Sequence, residues 1–175
     1  EWLAGRMLLR QCLGHYTGVD AQALAFSKTA AGKPQLELAG APAFNLSHGP
    51  QWIGCAVAQA MTLGLDIDSE TRRNSTDEIA ARYFHPQEQA VIRQAADGAG
   101  RKQAFFRSWT LKEAYIKALG ETINSVRLHE LGFAADGRPL FAPGPHWQFA
   151  HWRFDGSQHM ALACQWHECD TVNDG

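Results

Sequence analysis

The sequence lacks an excess of charge of either sign. Sixteen Lys and Arg stand against 18 Asp and Glu, a formal net charge of −2. That balance leaves no electrostatic footprint for nucleic acid as the main partner, although a local basic pocket is compatible with it. No stretch approaches the ~18 consecutive apolar residues of a membrane span, and the start does not read as a secretory leader. No membrane partner is therefore expected. The four cysteines, Cys12, Cys55, Cys164 and Cys169, contain no Cys-x-x-Cys pair. A chain of 175 residues can bury a core without covalent staples, so reduced thiols and a cytoplasmic protein are expected. Cys164, His167 and Cys169 cluster near the end, but they are one short of the four ligands a structural zinc takes. Neither a Walker lysine loop nor a Gly-x-Gly-x-x-Gly turn occurs, which excludes the nucleotide-loop folds.

What the chain does have is a strong helix pattern over residues 105–120, proline-free and closed by Gly120 at the position of a C-terminal cap. At about 100° per residue, Leu111, Ala114, Tyr115, Ala118 and Leu119 share one apolar face. Trp109, Glu113, Ile116 and Lys117 fall on the other, with Lys112 at its edge. Glu113 and Lys117 are four apart and hence neighbours. An isolated pair of this kind is usually solvated surface; large apolar neighbours suggest instead that it lines a cleft.

A second informative stretch is Leu63 to Asp68. Leu63, Leu65 and Ile67 alternate with Gly64, Asp66 and Asp68, so a strand here carries both aspartates on one face. Two carboxylates side by side repel unless a proton or cation lies between them. Hard oxygen donors at this spacing suit Mg2+, and two solvated carboxylates at a strand end are the plain alternative. Gly64 leaves room for something to approach that face.

The remaining pattern is mixed. Residues 2–13 read as a helix with Arg6 and Arg10 on one side, either a solvated stripe or an anion contact. Lys33 precedes Pro34 and so sits on extended backbone. Residues 44–48 and 52–58 read as a hairpin around Gly49 and Pro50, with the second strand buried. Ser47 and His48 at its mouth point to opposite faces, which argues against a nucleophile–base pair and leaves anion binding or a structural histidine. Residues 69–75 are a polar linker, and helices are expected over 76–84 and from Pro86 to about Ala96. Residues 97–100 should break the chain before the central helix. A hairpin turn is expected at Asp136 and Gly137, strands over 147–154 and 160–164, and a disordered end from Asp170.

Taken together, Phe44, Asn45, Leu46, Ser47 and His48, then Gly64 to Asp68, then Trp109 to Lys117 resemble, in this order and spacing, the 4′-phosphopantetheinyl transferases of the surfactin-synthetase type. Gly32, Lys33 and Pro34 match a further element, and the likeness covers roughly residues 2–165. The resemblance implies an α+β fold of two pseudo-symmetric halves, each a helix packed on a small antiparallel sheet. The boundaries expected are 1–60, lacking the family's first strand, 61–165 with the metal site, and 166–175 as a tail. It implies Mg2+, or Mn2+ in its place, held by Asp66, Asp68 and Glu113. Asp68 stands where the family usually has glutamate. Coenzyme A would be gripped by Lys33, Pro34, Ser47, His48 and Lys117, the last on the pyrophosphate. A serine of an apo acyl or peptidyl carrier protein would accept the pantetheine phosphate, releasing 3′,5′-adenosine bisphosphate. Glu113, Lys117 and Glu88 are the catalytic candidates. Glu113, a water on the metal, and Glu88 are alternatives for the base. Arg72, Arg73 and Arg82 lie where the family docks its carrier, and a monomer is expected.

Two other readings share some of these residues. A metal-dependent phosphate-ester hydrolase would use the carboxylates without a coenzyme A grip. A non-catalytic carrier-binding module would use them only to stabilise the fold.

Overall fold

The computed structural model describes residues 2–29, 32–72, 76–141 and 143–166. His167, Cys169, Arg73 and the expected disordered end lie outside the described residues. Helix α1 (Trp2–Thr17) packs Leu9 and Leu13 onto a hairpin of β3 (Ala43–His48) and β4 (Ile53–Ala58). The short strands β1 (Phe26–Lys28) and β2 (Pro34–Leu36) precede this hairpin and pair with each other. The hairpin turn closes as expected, with Gly49 N donating to Trp52 O at 2.8 Å. β4 is half-exposed along its whole length rather than buried.

β5 (Met61–Ser69) pairs antiparallel along its full length with β9 (Gln158–Trp166), and β9 pairs in turn with β8 (Trp147–Phe154), giving the order β5-β9-β8. The long helix α4 (Gly98–Leu119) lies across β5 and β9. Its Leu111, Ala114, Tyr115 and Ala118 pack with Leu128, Leu131, Phe133, Ala161 and Ala163 into the largest core. α2 (Thr76–Tyr83) and α3 (Pro86–Gln94) cover the other flank, where Phe84, Phe105 and Trp109 stack. A small hairpin, β6 (Gly132–Phe133) and β7 (Pro139–Phe141), turns at Gly137, whose φ of 85° favours a residue without a Cβ. Helix-on-sheet packing thus occurs twice, α1 on β3–β4 and α4 on β5-β9-β8, the α+β architecture expected. Among the described residues no helix is long and apolar enough to cross a membrane.

α4 departs from expectation in two respects. Residues 97–100 do not break the chain: Asp97 is the N-cap, its carboxylate accepting Gly100 N at 2.7 Å, so the helix begins seven residues before Phe105. The helix is also buried nearly all round. Ile116 is buried and Leu119 is exposed, the reverse of the one-sided face, because elements pack against α4 from more than one side. Its end is as expected, at Gly120 with φ 71°.

Gly64 explains how α4 comes so close to β5. A Cβ there would run into the Ala114 carbonyl oxygen and the Ala118 amide. The space on that strand face is filled by the helix backbone. Gly64→Ala should therefore cost roughly 3 kcal/mol or more by overpacking, read as a lower denaturant midpoint. Wild-type stability in this variant would contradict the close approach.

Candidate active site between β3, β5 and α4

Asn45 and Ser47 are two apart on β3 and so share a face. Asn45 Oδ1 accepts Leu65 N at 3.0 Å and Ser47 Oγ accepts Ile67 N at 3.0 Å. The amides they meet are themselves two apart on β5. Side chains, in place of a backbone ladder, stitch the β3–β4 hairpin to the larger sheet and fix where Asp66 stands. The alternation of Asn45 with Ser47 was visible in the sequence; Asn45's part in it was not, since its partner lies 20 positions away.

Ser47 joins this seam to α4. Lys117 Nζ donates to Ser47 Oγ at 2.9 Å and lies 2.6 Å from Asp66 Oδ1, while Ser47 Oγ donates to the same carboxylate oxygen at 3.3 Å. Asp66's side chain is 10% exposed and that of Lys117 31%, so the pair is partly screened from water. Asp68 is buried, its Oδ1 accepting Ser69 N at 2.8 Å and its Oδ2 accepting Arg72 at 3.2 Å. Burial pushes its pKa up, opposed by those two donors. Glu113 is pushed up to about 7, first by burial, then by the charges of Asp66 and Asp68, with Lys117 and Arg72 opposing. The folded value lies above the ordinary 4.5, so this group favours the folded state below that pH and loses the contribution as pH rises through about 7.

Lys117 thus pairs with Asp66 and Arg72 with Asp68, while Glu113 feels the charge of all four. The donor chemistry fits a hard divalent cation, which would relieve the crowding that raises Glu113. Among the described residues no three acidic, His or Cys side chains already converge on one point. Lys117 occupies one oxygen of Asp66, and both oxygens of Asp68 are taken. Asp66 and Glu113 are the side chains with oxygens to offer.

Lys33 reaches the same helix from the other half. Its ammonium donates to Lys117 O and Ala118 O, both at 2.9 Å, a cap on the carbonyl end of α4, and burial lowers its pKa. Lys33 and Pro34 also line a cleft of ≈ 540 Å³ with Trp2, Arg6, Lys28 and Phe44. Arg10, though on that wall, is committed to Ala21 O and Leu24 O at 2.6 and 3.0 Å; Arg6 lies over the Trp2 ring. His48 ends β3, exposed to solvent on one side while its ring lies against Gly5 of α1. Ser47 and His48 do face opposite ways, one buried and one exposed. Arg82 sits over the Tyr83 ring.

Glu88 is not brought to this cluster. Its carboxylate is buried, 2.9 Å from Lys112 Nζ, and accepts His85 N at 2.9 Å and Phe133 N at 3.2 Å. Lys112, expected at the edge of a face, is wholly buried and also donates to Leu128 O at 2.8 Å and to Leu131 O. The pair ties α3 and α4 to the segment entering β6, and His85 N with Glu88 is one arm of a capping box for α3.

The site is thus the Lys117 contact with Asp66 and Ser47, with Glu113 and Asp68 nearby, beside a cleft that Arg6, Lys28 and Lys33 help to line. Comparison with known proteins supplies the family. The profile of the 4′-phosphopantetheinyl transferase superfamily matches residues 62–165. A 4′-phosphopantetheinyl transferase of Bacillus subtilis is 33% identical over 179 residues, covering 97% of this chain and 76% of that protein. The 4′-phosphopantetheinyl transferase HetI of Nostoc sp. is 34% identical over 150 residues, covering 84% of this chain and 63% of its own length. A crystal structure of a holo-(acyl-carrier-protein) synthase from Bacillus anthracis in complex with CoA (3′,5′-ADP) matches with a TM-score of 0.48 at 19% identity, covering 59% of this chain and 94% of that one. The chain belongs to the 4′-phosphopantetheinyl transferase superfamily. It spans 63% of the Nostoc protein and 76% of the Bacillus subtilis one.

The buried Glu88–Lys112 pair yields a test that separates structure from chemistry. Glu88→Gln leaves the Lys112 charge buried and unpaired, which should cost about 3–5 kcal/mol in urea unfolding. A variant of unchanged stability would show that Glu88 is not a structural anchor.

Proposed function

We propose that the protein transfers the 4′-phosphopantetheine group from coenzyme A to a serine hydroxyl of an apo acyl or peptidyl carrier protein, releasing 3′,5′-adenosine bisphosphate. Family membership supports the reaction class. The observation that carries the reading is the meeting of Lys117, Asp66 and Ser47 beside a crowded Glu113. On this reading the chain divides near Ala60, with the nucleotide grip mainly in residues 1–60 and the carboxylates in 61–165.

Each residue then has a chemical task. Lys33 and Pro34, with the cleft of Trp2, Arg6 and Lys28, hold the nucleotide end, and His48 and Ser47 offer hydrogen bonds to its phosphates. Lys117 trades part of its contact with Asp66 for the pyrophosphate and neutralises charge as the bond to the leaving group breaks. Asp66 and Glu113 would hold Mg2+, or Mn2+ in its place, which when bound supplies charge neutralisation at the phosphates. Such a cation would favour the ionised form of Glu113 at neutral pH, in which it could take the serine proton. Asp68, one methylene shorter than glutamate and already bound to Ser69 N and Arg72, would reach such a cation only indirectly and would mainly add negative charge beside Asp66. Phosphoryl transfer asks chiefly for positioning, and the seam from Asn45 to Leu65 supplies it. Arg72 and Arg82, on the exposed side, suit an acidic carrier.

The test is incubation with coenzyme A, Mg2+ and an apo carrier protein, followed by the carrier's intact mass. Carriers from fatty acid, polyketide and nonribosomal peptide synthesis form the panel. Transfer should be lost without Mg2+ and fall by two or more orders of magnitude in Asp66→Ala and Glu113→Ala. Asp68→Ala should be milder, roughly 10- to 100-fold, as for partners behind a metal ligand. Near-wild-type rates in both Asp66→Ala and Glu113→Ala would overturn the assignment. Mg2+ binding without transfer to any carrier would favour a non-catalytic module.

A further inference from the structure

One cluster of buried titratable groups is used by no step of the proposed reaction. His159 of β9 is wholly buried beneath Phe106 of α4, the two ring centres 6.0 Å apart. Both of its ring nitrogens are spent: Nε2 lies 2.9 Å from Glu70 Oε1, and Nδ1 lies 3.0 Å from His151 Nε2. Glu70 Oε1 also accepts Arg153 Nε at 2.8 Å. Burial alone would raise the Glu70 pKa, but the bonds from Arg153 and His159 outweigh it and hold the carboxyl below its usual value. The carboxylate is therefore an acceptor, which puts the proton of the neutral His159 ring on Nε2 and leaves Nδ1 to accept from His151. His159 is the direct strand partner of Asp68 on one side and of Arg153 on the other, so the three side chains share one face of the sheet. Glu70 stands two residues past Asp68, in the turn that ends β5. That turn closes on itself. Asp68 Oδ1 accepts Ser69 N at 2.8 Å, Ser69 O accepts Arg72 N at 3.0 Å, and Arg72 Nη1 returns to Asp68 Oδ2 at 3.2 Å. Gln158 Nε2 ties Ser69 Oγ from the opposite face at 3.0 Å, so Glu70 is the tie on the Asp68 face.

We propose that Glu70, gripped by His159 and Arg153, is a positioning residue: it sets the turn after β5 so that Arg72 keeps Asp68 engaged and leaves Asp66 and Glu113 to meet the cation. The Arg72 side chain is 57% exposed. An exposed arginine loses conformational entropy when it holds a carboxylate, so such a pair is weak unless the backbone presets it. A buried polar network, by contrast, contributes fixed geometry more than net stability. Glu70 carries the rigidity of the one to the other: its side chain is fixed to β8 and β9, and its backbone N donates to Ser157 O at 3.0 Å. Without this anchor the turn loosens, Arg72 releases Asp68, and an unpaired carboxylate is left beside Asp66. The effect of Glu70 on transfer rests on the reaction proposed above; its hold on the turn does not.

The experiment has two arms on the full chain. In the first, amide hydrogen exchange is read residue by residue by NMR, without coenzyme A. In Glu70→Ala the Ser69 and Arg72 amides should exchange about 10-fold faster or more, while those of Leu65 and Ile67 keep their rates. Arg153→Ala removes one grip from a side chain that is 38% exposed, and should move the same two amides by a smaller factor even where Glu70→Ala does not fold. In the second arm, Glu70→Ala should lower kcat for carrier modification roughly 10-fold, with the coenzyme A KM within about twofold of wild type. Glu70→Gln, which keeps an oxygen for one donor, should recover part of the loss. Arg72→Ala should lose a similar factor, and the double variant Glu70→Ala with Arg72→Ala should lose no more than either alone, as befits residues that act through one contact. Unchanged exchange at Ser69 and Arg72 in both Glu70→Ala and Arg153→Ala would overturn the proposal. So would a wild-type kcat in Glu70→Ala, or losses that multiply in the double variant, which would make Glu70 a general stabiliser. Should the wild-type chain modify no carrier, the reaction itself fails, and the exchange rates alone decide whether Glu70 holds the turn.

Discussion

The bond of Lys117 to Asp66 and Ser47 is the interaction on which the site depends. It joins three elements that have no backbone ladder in common: α4, β5 and β3. Each group is constrained from behind. Ser47 is pinned by Ile67 N, Asp66 rides on a strand paired along its full length with β9, and the carbonyl of Lys117 is held by Lys33. A partly buried ion pair is worth little as glue by itself, because desolvation offsets much of the attraction. Its value here is positional: it sets the reach of a lysine over a carboxylate.

The close approach of α4 to β5 makes that reach possible. Gly64, Ala114 and Ala118 bring helix and strand backbones together, which carries Glu113 and Lys117 toward the aspartate face. The same helix uses Lys112, the residue before Glu113, for an entirely different purpose. Turned by about 100°, it is buried against Glu88 and the carbonyls of Leu128 and Leu131. Adjacent positions on one helix thus divide between holding the fold and facing the site.

This division shows how far the sequence could be read. Strand period put Asp66 and Asp68 together, and helix period put Glu113 beside Lys117; both are local rules, and both hold in the structure. The hairpin at Gly49, the cap at Gly120 and the turn at Gly137 were legible for the same reason. What failed needed partners far along the chain. Nothing local distinguishes the buried Lys112 from the half-exposed Lys117, or tells that Glu88 is spent on Lys112. The break expected at residues 97–100 was misread because Asp97 followed by glycine suits both a loop and an N-cap. Leu119 and Ile116 exchanged places because a one-sided face was assumed for a helix packed from several sides. Asn45 went unassigned because its value lies wholly in the Leu65 amide that it meets.

The proposed function requires that Glu113 be charge-crowded in the free protein and that a divalent cation relieve the crowding. Titration of the Glu113 carboxyl followed by carbon NMR, with and without Mg2+, tests it most directly. The account predicts a midpoint near 7 in the free protein, where burial and the neighbouring aspartates hold the proton. Mg2+ should draw that midpoint down into the ordinary carboxylate range. A midpoint already near 4.5 without metal, unmoved by Mg2+, would contradict it.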